Sequence, residues 1–219
     1  MTSLRFRYQT IEFSDGLDIH VRTLRDNMQF YDPDDIALEL GISNSSWPLF
    51  GIVWETGRYL AELMLDFDIR GKRILEVGCG IGLASLVLNH RLADITSTDQ
   101  HPDAEAFMQE NVRINHGRDI PFVRTGWADE DSGMGTFDLL IASDVLYERS
   151  FAEPLSCFLD QHAKATCEII VIDPGRGHHS ELNKKMIVLG FEQSQEPTKH
   201  KLLPRGKVLR YWRVDTLEE

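Results

Sequence analysis

Little in this chain suits an oxidising compartment, a metal cluster or a membrane. Its three cysteines, Cys79, Cys157 and Cys167, are odd in number and show no C-x-x-C spacing. That excludes a disulfide framework and a thiolate zinc site, and it fits a reducing cytoplasm. His178-His179 makes no metal site, because adjacent side chains point apart and no carboxylate cluster accompanies them. No apolar run approaches the roughly 18 residues of a membrane helix, and MTSLRFRYQT lacks the apolar core of a signal peptide. The expectation is a soluble, cytoplasmic protein without a metal. Basic residues are scarce: 23 Lys and Arg stand against 35 Asp and Glu, a net charge of −12. Such a balance argues against nucleic acid and anionic membranes as partners. One stretch departs from it. Residues 199–213 hold six basic residues and no acid, either as the solvated face of two edge strands or as a contact patch for an acidic partner.

What is present is concentrated in residues 74–86, ILEVGCGIGLASL. An apolar strand carrying one acid, Glu76, runs into Gly78-Cys79-Gly80-Ile81-Gly82 and then into a helix-forming run. Strand, glycine turn and helix N-terminus together cradle a nucleotide, because glycine lets the backbone approach a ligand closely. A dinucleotide fingerprint would need glycine at position 83, where this chain has Leu83. Glu76, two residues before the first glycine, is of no use to a pyrophosphate but suits a ligand with an ammonium group. The pattern E-x-G-x-G-x-G therefore favours S-adenosylmethionine over NAD. A second strand, 95–98, ends in Asp99-Gln100, 17 residues beyond Gly82. An acid there can accept hydrogen bonds from both ribose hydroxyls. It can also cap the helix opened by Pro102.

Length and a hydrophobic content of 42% suit one α/β domain with an extension. Residues 5–13 and 17–25 alternate around Ser14-Asp15-Gly16 as a hairpin, and 34–40 reads as a short helix closed by Gly41. Residues 43–54 form an apolar, aromatic-rich loop before a helix over 55–66. Alternation follows: strand 73–77, helix 82–90, strand 94–98, helix 102–115, strands 121–124 and 137–142, helix 151–165, strand 168–172, helix 180–189. Strands 191–195 and 208–214 close the chain with no helix between them. This predicts a doubly wound, mostly parallel seven-stranded sheet with an antiparallel terminal hairpin and an N-terminal β-hairpin extension. The division is an extension over 1–50 and a cofactor-binding domain over 51–219.

Seven strands ending in an antiparallel pair, behind E-x-G-x-G-x-G, resemble the class I S-adenosylmethionine-dependent methyltransferases over about residues 50–215. The segment 137–147, FDLLIASDVLY, is similar to the fourth strand and D-x-x-Y of the seven-β-strand protein lysine methyltransferases. Val53-Trp54-Glu55 with Leu60-Ala61 resembles their V-W-x…L-A signature, and Gly126-Trp127 their tryptophan after the third strand. The resemblance implies S-adenosylmethionine as cofactor and a lysine-bearing protein as partner. By it, Trp54 lines the cofactor site, Gly78 and Gly80 meet the methionine end, Asp99 the ribose and Trp127 the adenine. Ala142 offers backbone, and Asp144 and Tyr147 shape the substrate entrance as the catalytic pair. Glu76, Cys79 and Gln100 complete the cofactor set.

Structural roles compete at several positions. Trp127 and Trp54 can be core residues, and Cys79 serves as a small residue in a tight turn, with no histidine near it in sequence to activate a thiol. Asp144 can cap a turn, with Tyr147 packing beside it. Three functions are compatible with these residues: a protein lysine methyltransferase, a methyltransferase for a small molecule or another side chain, and a non-catalytic module that binds the cofactor. The joint presence of Glu76, Asp99, Trp127, Asp144 and Tyr147 argues against the third, and the acidic balance of residues 1–70, 12 acids against 6 bases, favours a protein acceptor. The absence of an N-P-P-Y-like segment after the fourth strand argues against a nucleic-acid methyltransferase.

Overall fold

The computed structural model describes residues 4–32, 34–129 and 133–214. A two-stranded antiparallel sheet, β1 (Phe6–Glu12) and β2 (Asp18–Leu24), opens the chain. The short α1 (Ile36–Glu39) and a 3-10 turn over Trp47–Gly51 lead to α2 (Glu55–Asp66). Then come β3 (Arg73–Val77), α3 (Leu83–His90), β4 (Asp94–Asp99), α4 (Ala104–Ile114), β5 (Phe122–Arg124) and β6 (Phe137–Ser143). The chain ends in α5 (Ala152–His162), β7 (Ala163–Asp173), α6 (His179–Val188), β8 (Glu192–Pro197) and β9 (Lys207–Arg213).

The main sheet has the order β5-β4-β3-β6-β7-β9-β8. β3 pairs in parallel with β4 and β6, and β9 is reversed against both β7 and β8. β3 and β6 lie at the middle with helices on both faces, which is why they read as nearly continuous apolar runs. Ile74, Leu75, Val77, Leu139, Leu140 and Ile141 are all fully buried. The strand order reverses between β3 and β6, so the loops after these strands diverge and leave a crevice at their C-terminal ends. This is the mostly parallel seven-stranded sheet that the alternation predicts.

The N-terminal hairpin is held on the sheet domain by α4. Asn111 and Asn115 accept hydrogen bonds from the backbone N–H groups of Arg22 (2.7 Å) and His20 (2.8 Å), which satisfies an otherwise open strand edge. Ile19, Val21 and Leu24 enter the same apolar cluster as Leu60, Met64 and Phe107.

Two segments differ from the sequence reading. The helix expected to reach residue 165 stops at His162, and β7 begins at Ala163 instead of 168. Tertiary contacts override the helical propensity of Ala163-Lys164-Ala165. The Arg213 guanidinium donates to the carbonyls of Ala163 and Lys164, and Lys164 pairs with Asp138 at 2.8 Å. The second segment, the expected loop over 43–54, contains the Trp47–Gly51 3-10 turn, with Trp47 buried and its Nε1 donating to Tyr31 O.

Candidate active site

The crevice is a cleft of about 680 Å³. It is lined by the loops after β3, β4, β5, β6 and β7 and by residues 49–54. All but one of the expected site residues line it: Trp54, Glu76, Gly78, Cys79, Gly80, Asp99, Gln100, Trp127, Asp144 and Tyr147. The exception is Ala142, which is fully buried within β6, in register between Val77 and Val171. Its neighbour Ser143 lines the cleft instead, since consecutive residues of a strand face opposite ways.

The wall at β3 and β4 is tied together by backbone. Gly80 has φ 54, and a Cβ built there would lie 2.7 Å from the Phe50 carbonyl oxygen. No side chain fits between the glycine loop and the 3-10 turn. The Gly80 N–H donates to Asp99 Oδ2 (2.8 Å), and the His101 N–H donates to Asp99 Oδ1 (2.9 Å). Asp99 thus spans the glycine loop and the turn before α4, and each oxygen keeps a second lone pair for a ligand hydroxyl. It does not cap α4, whose N-cap position is Asp103. Burial raises the Asp99 carboxyl above its ordinary range.

Glu76 is buried at the end of β3, and its Oε2 accepts from both the N–H and the hydroxyl of Ser85. Burial pushes its pKa up to about 7, against the lowering effect of those two bonds. A cation placed in the cleft would hold it ionised. Cys79 is buried too. Burial, with Asp99 and Glu76 nearby, lifts its thiol well above the ordinary value, so it is no nucleophile.

The wall at β6 and β7 is made of side chains. Asp144 follows β6 with φ 52, its N–H donating to Ile172 O at 2.9 Å. Left-handed backbone at a non-glycine residue is strained, and such strain clusters at functional sites. Both carboxylate oxygens of Asp144 are gripped by Arg176, Nε to Oδ1 and a terminal nitrogen to Oδ2, each at 2.7 Å. Tyr147 and Trp127 both set their rings edge-on to Phe151, at 4.7 and 5.4 Å between centroids. Burial is the main force pushing the Tyr147 hydroxyl up to about 12, so it keeps its proton. Trp54 donates from Nε1 to Leu49 O (2.9 Å), which fixes the ring at the mouth of α2.

Sequence reasoning missed Arg176, Phe151, Ser143 and His101, all of which line the cleft. A charged residue flanked by glycines after a strand, Gly175-Arg176-Gly177, was the available signal for the first. His101 stacks on Phe50 with 3.7 Å between ring centroids, and burial holds its pKa down at about 3. No pattern in the sequence foretold that contact. Among the described residues, no group of histidines, cysteines and carboxylates is placed to hold a metal ion, and no helix is long and apolar enough to cross a membrane.

Residues 38–186 match the model of a protein family described as lysine methyltransferase. The chain belongs to that family. Among curated proteins, the electron transfer flavoprotein beta subunit lysine methyltransferase of Rattus norvegicus is 26% identical over 157 residues, 69% of this chain and 61% of that protein. The calmodulin-lysine N-methyltransferase of Arabidopsis thaliana is 27% identical over 128 residues, 54% of this chain and 42% of that one. The chain spans between about half and three fifths of the length of the flavoprotein lysine methyltransferases that it matches. Among solved structures, the 16S rRNA N2 G1207 methyltransferase of T. thermophilus superposes with a TM-score of 0.65 at 14% identity, over 97% of this chain and 51% of that one. The magnesium protoporphyrin IX methyltransferase of Synechocystis gives 0.59 at 20% identity, over 73% and 78%. At these identities the likeness shows the fold, a class I methyltransferase sheet.

Proposed function

We propose that this lysine methyltransferase family member binds S-adenosylmethionine in the cleft and methylates the side-chain amine of a protein lysine. The observation that carries the reading is the convergence of two unlike walls on one cavity: Glu76, the glycine loop and Asp99 on one side, and Asp144 and Tyr147 on the other, with Trp127 of the loop after β5 close to both Gly78 and Phe151. The first wall fits the cofactor. Glu76 would pair with its ammonium, Gly78, Cys79 and Gly80 would let backbone reach its methionine end, and Asp99 with Gln100 would hold the ribose. Trp127 gives the adenine a flat wall, Trp54 closes the site from the α2 side, and Ala142 would offer its backbone beside the Ser143 side chain that lines the cleft.

Bound there, the cofactor supplies a methyl group on sulfonium sulfur. The protein's share is to present a neutral nitrogen in line with it. A free lysine has a pKa of about 10.4, so only roughly one in 2,500 is neutral at pH 7. Burial near Trp127 and Phe151 disfavours the ammonium. The protonated Tyr147 hydroxyl can hydrogen-bond the nitrogen and aim its lone pair, and Asp144 shapes the entrance without acting as an obligatory base. Most of the acceleration comes from alignment. The curated relatives are named for lysines of a flavoprotein subunit and of calmodulin, which supports a protein acceptor.

The test is incubation of the protein with methyl-labelled S-adenosylmethionine and its own cell extract. Label should reach a polypeptide and appear as methyl-lysine after hydrolysis. Label confined to small molecules, or recovered in arginine or histidine, overturns the lysine assignment and leaves the fold standing.

A further inference from the structure

Arg176 lines the cleft, yet neither the sequence motifs nor the proposed chemistry accounts for it. It sits in the turn between β7 and α6, between Gly175 and Gly177, both of positive φ. Its guanidinium holds the Asp144 carboxylate as a two-pronged hydrogen-bonded pair, 2.7 Å on each prong. The Asp144 side chain is 14% exposed and that of Arg176 is 44% exposed, so the cation stands on the solvent side of the acid at the cleft rim. Both residues line the cavity with Tyr147 and Trp127.

An unpaired carboxylate at that place would work against the reaction. A negative charge within about 4–6 Å of an amine favours the ammonium, and the ammonium has no lone pair to give. Every unit by which the bound lysine pKa rises removes nine tenths of the reactive form. A guanidinium fixed on both oxygens turns the isolated charge into a dipole whose field falls off faster. Arginine suits this role because it stays charged and its planar fork holds a carboxylate in one orientation. Among the described residues, the other guanidinium in the cleft lining is Arg124 at the end of β5, and it makes no hydrogen bond or ion pair with Asp144. Asp173 at the end of β7 adds negative charge beside Arg176, and Asp99 and Glu148 face the Tyr147 hydroxyl. Arg205 meets this turn through its backbone and Cβ, against Gly175.

We infer that Arg176 is a positioning residue that neutralises Asp144, so that an acceptor lysine entering past Asp144 and Tyr147 is held in place without being trapped as its ammonium. The inference rests on the lysine reading above. In the step it serves, the lysine nitrogen forms an N–C bond with its lone pair as the S–C bond breaks and leaves its electrons on sulfur. The methylated nitrogen then sheds one proton to water.

The experiment compares single-turnover rates across pH 6.5–10 for the wild type, Arg176→Gln, Arg176→Lys and Arg176→Gln with Asp144→Asn. The acceptor is the polypeptide labelled in the extract experiment, purified from that extract. Arg176→Gln should slow the reaction about tenfold at pH 7.5, recover towards wild type near pH 10, and leave the acceptor KM unchanged or lower. Adding Asp144→Asn should move the pH profile back, since the charge to be neutralised is gone. Arg176→Lys should fall between. A pH-independent loss, or a raised KM with an unshifted profile, overturns the inference.

A second arm needs no acceptor protein. Binding of n-butylamine, a lysine side-chain analogue, to the S-adenosylhomocysteine complex is followed by NMR at pH 7. Arg176→Gln should bind the ammonium at least threefold more tightly than wild type, and equal or weaker binding also overturns the inference. Melting curves and S-adenosylhomocysteine affinity should match wild type in every variant used. An inactive wild type would instead remove the lysine reading itself.

Discussion

The two walls of the cleft are built by different means. At β3 and β4 the functional side chains are locked to backbone or to near neighbours: Asp99 to the N–H groups of Gly80 and His101, Glu76 to Ser85 nine residues on. At β6 and β7 the locks are side chains brought from elsewhere. Asp144 is held by Arg176, 32 positions away, and Tyr147 and Trp127 share the Phe151 ring. Backbone donors are fixed in place once the sheet forms, so the first wall is pre-shaped for one ligand. Side-chain pairs can be exchanged or displaced, so the second wall can adapt to whatever acceptor enters.

The sharpest way to break this contrast is to disturb the backbone lock. Gly80→Ala places a methyl group against the Phe50 carbonyl oxygen, at a φ of 54 that alanine resists. The cost should be about 2–4 kcal/mol of stability. S-adenosylhomocysteine affinity should fall at least a hundredfold by calorimetry. A folded variant with undiminished affinity would show that the wall is not rigid.

Glu76 tests the same wall through pH. Its folded pKa is raised to about 7 from an ordinary 4.5. Between those values the unfolded chain releases a proton that the folded one keeps. Stability therefore falls as pH rises through this window, and above pH 7 the loss stays constant at about 3 kcal/mol. Glu76→Gln should recover part of that, about 2 kcal/mol in melts at pH 8, and little at pH 4. Affinity for S-adenosylhomocysteine should move the other way. In the wild type it should weaken below pH 7 as the carboxylate takes up its proton, and in the variant it should be low throughout. A melt of Glu76→Gln that tracks wild type at both pH values would remove the buried-charge account.

How legible each wall was follows from how it is held. Gly78, Gly80 and Glu76 lie within five residues, and their spacing alone carries the turn geometry; Asp99 lies at a fixed offset set by one strand–helix–strand unit. The alternation of strands and helices likewise exposed the mostly parallel seven-stranded sheet, though not its order, and the all-polar β8 was legible only from its place before the terminal turn. Arg176 could not be paired with Asp144 from sequence, since the pairing depends on β6 and β7 being neighbours and on two turns meeting at their ends. Ala142 was named for its backbone, and strand alternation sends its side chain into the core while that of Ser143 faces the cavity. The early start of β7 was hidden for a similar reason: the groups that hold it, Arg213 and Asp138, come from β9 and β6.

The adaptable wall should respond to mutation in activity more than in stability. Asp144→Gly relieves a left-handed conformation worth about 1 kcal/mol. Its melting temperature should stay level or rise while turnover drops at least tenfold. Tyr147→Phe removes only a hydroxyl that keeps its proton to about 12. It should lower turnover roughly threefold to tenfold, with S-adenosylhomocysteine affinity intact. If either variant loses stability in proportion to activity, these residues serve packing, and the division between a pre-shaped and an adaptable wall fails on that side.

The smallest expected effect concerns the field outside the cleft. Residues 1–70 carry 12 acids against 6 bases, and from this segment Glu39 reaches the cleft lining itself. That field would draw a lysine-bearing segment towards the mouth and steer its approach. Arg205 is exposed against the turn that bears Arg176, and Lys199 and Lys201 are exposed on the same loop, with the Lys199 N–H on the Tyr59 hydroxyl of α2; these cations would oppose that field. Both fields are screened within about 10 Å at 0.1 M salt and more tightly above that, whereas contacts inside the cleft are not. Raising ionic strength from 0.05 to 0.5 M should therefore raise the acceptor KM about threefold to tenfold, with S-adenosylhomocysteine affinity unchanged. A KM that falls with salt would mean that the basic loop repels the acceptor more strongly than the acidic segment attracts it. A KM that does not move would place acceptor selection wholly inside the adaptable wall, on Asp144, Tyr147 and Arg176.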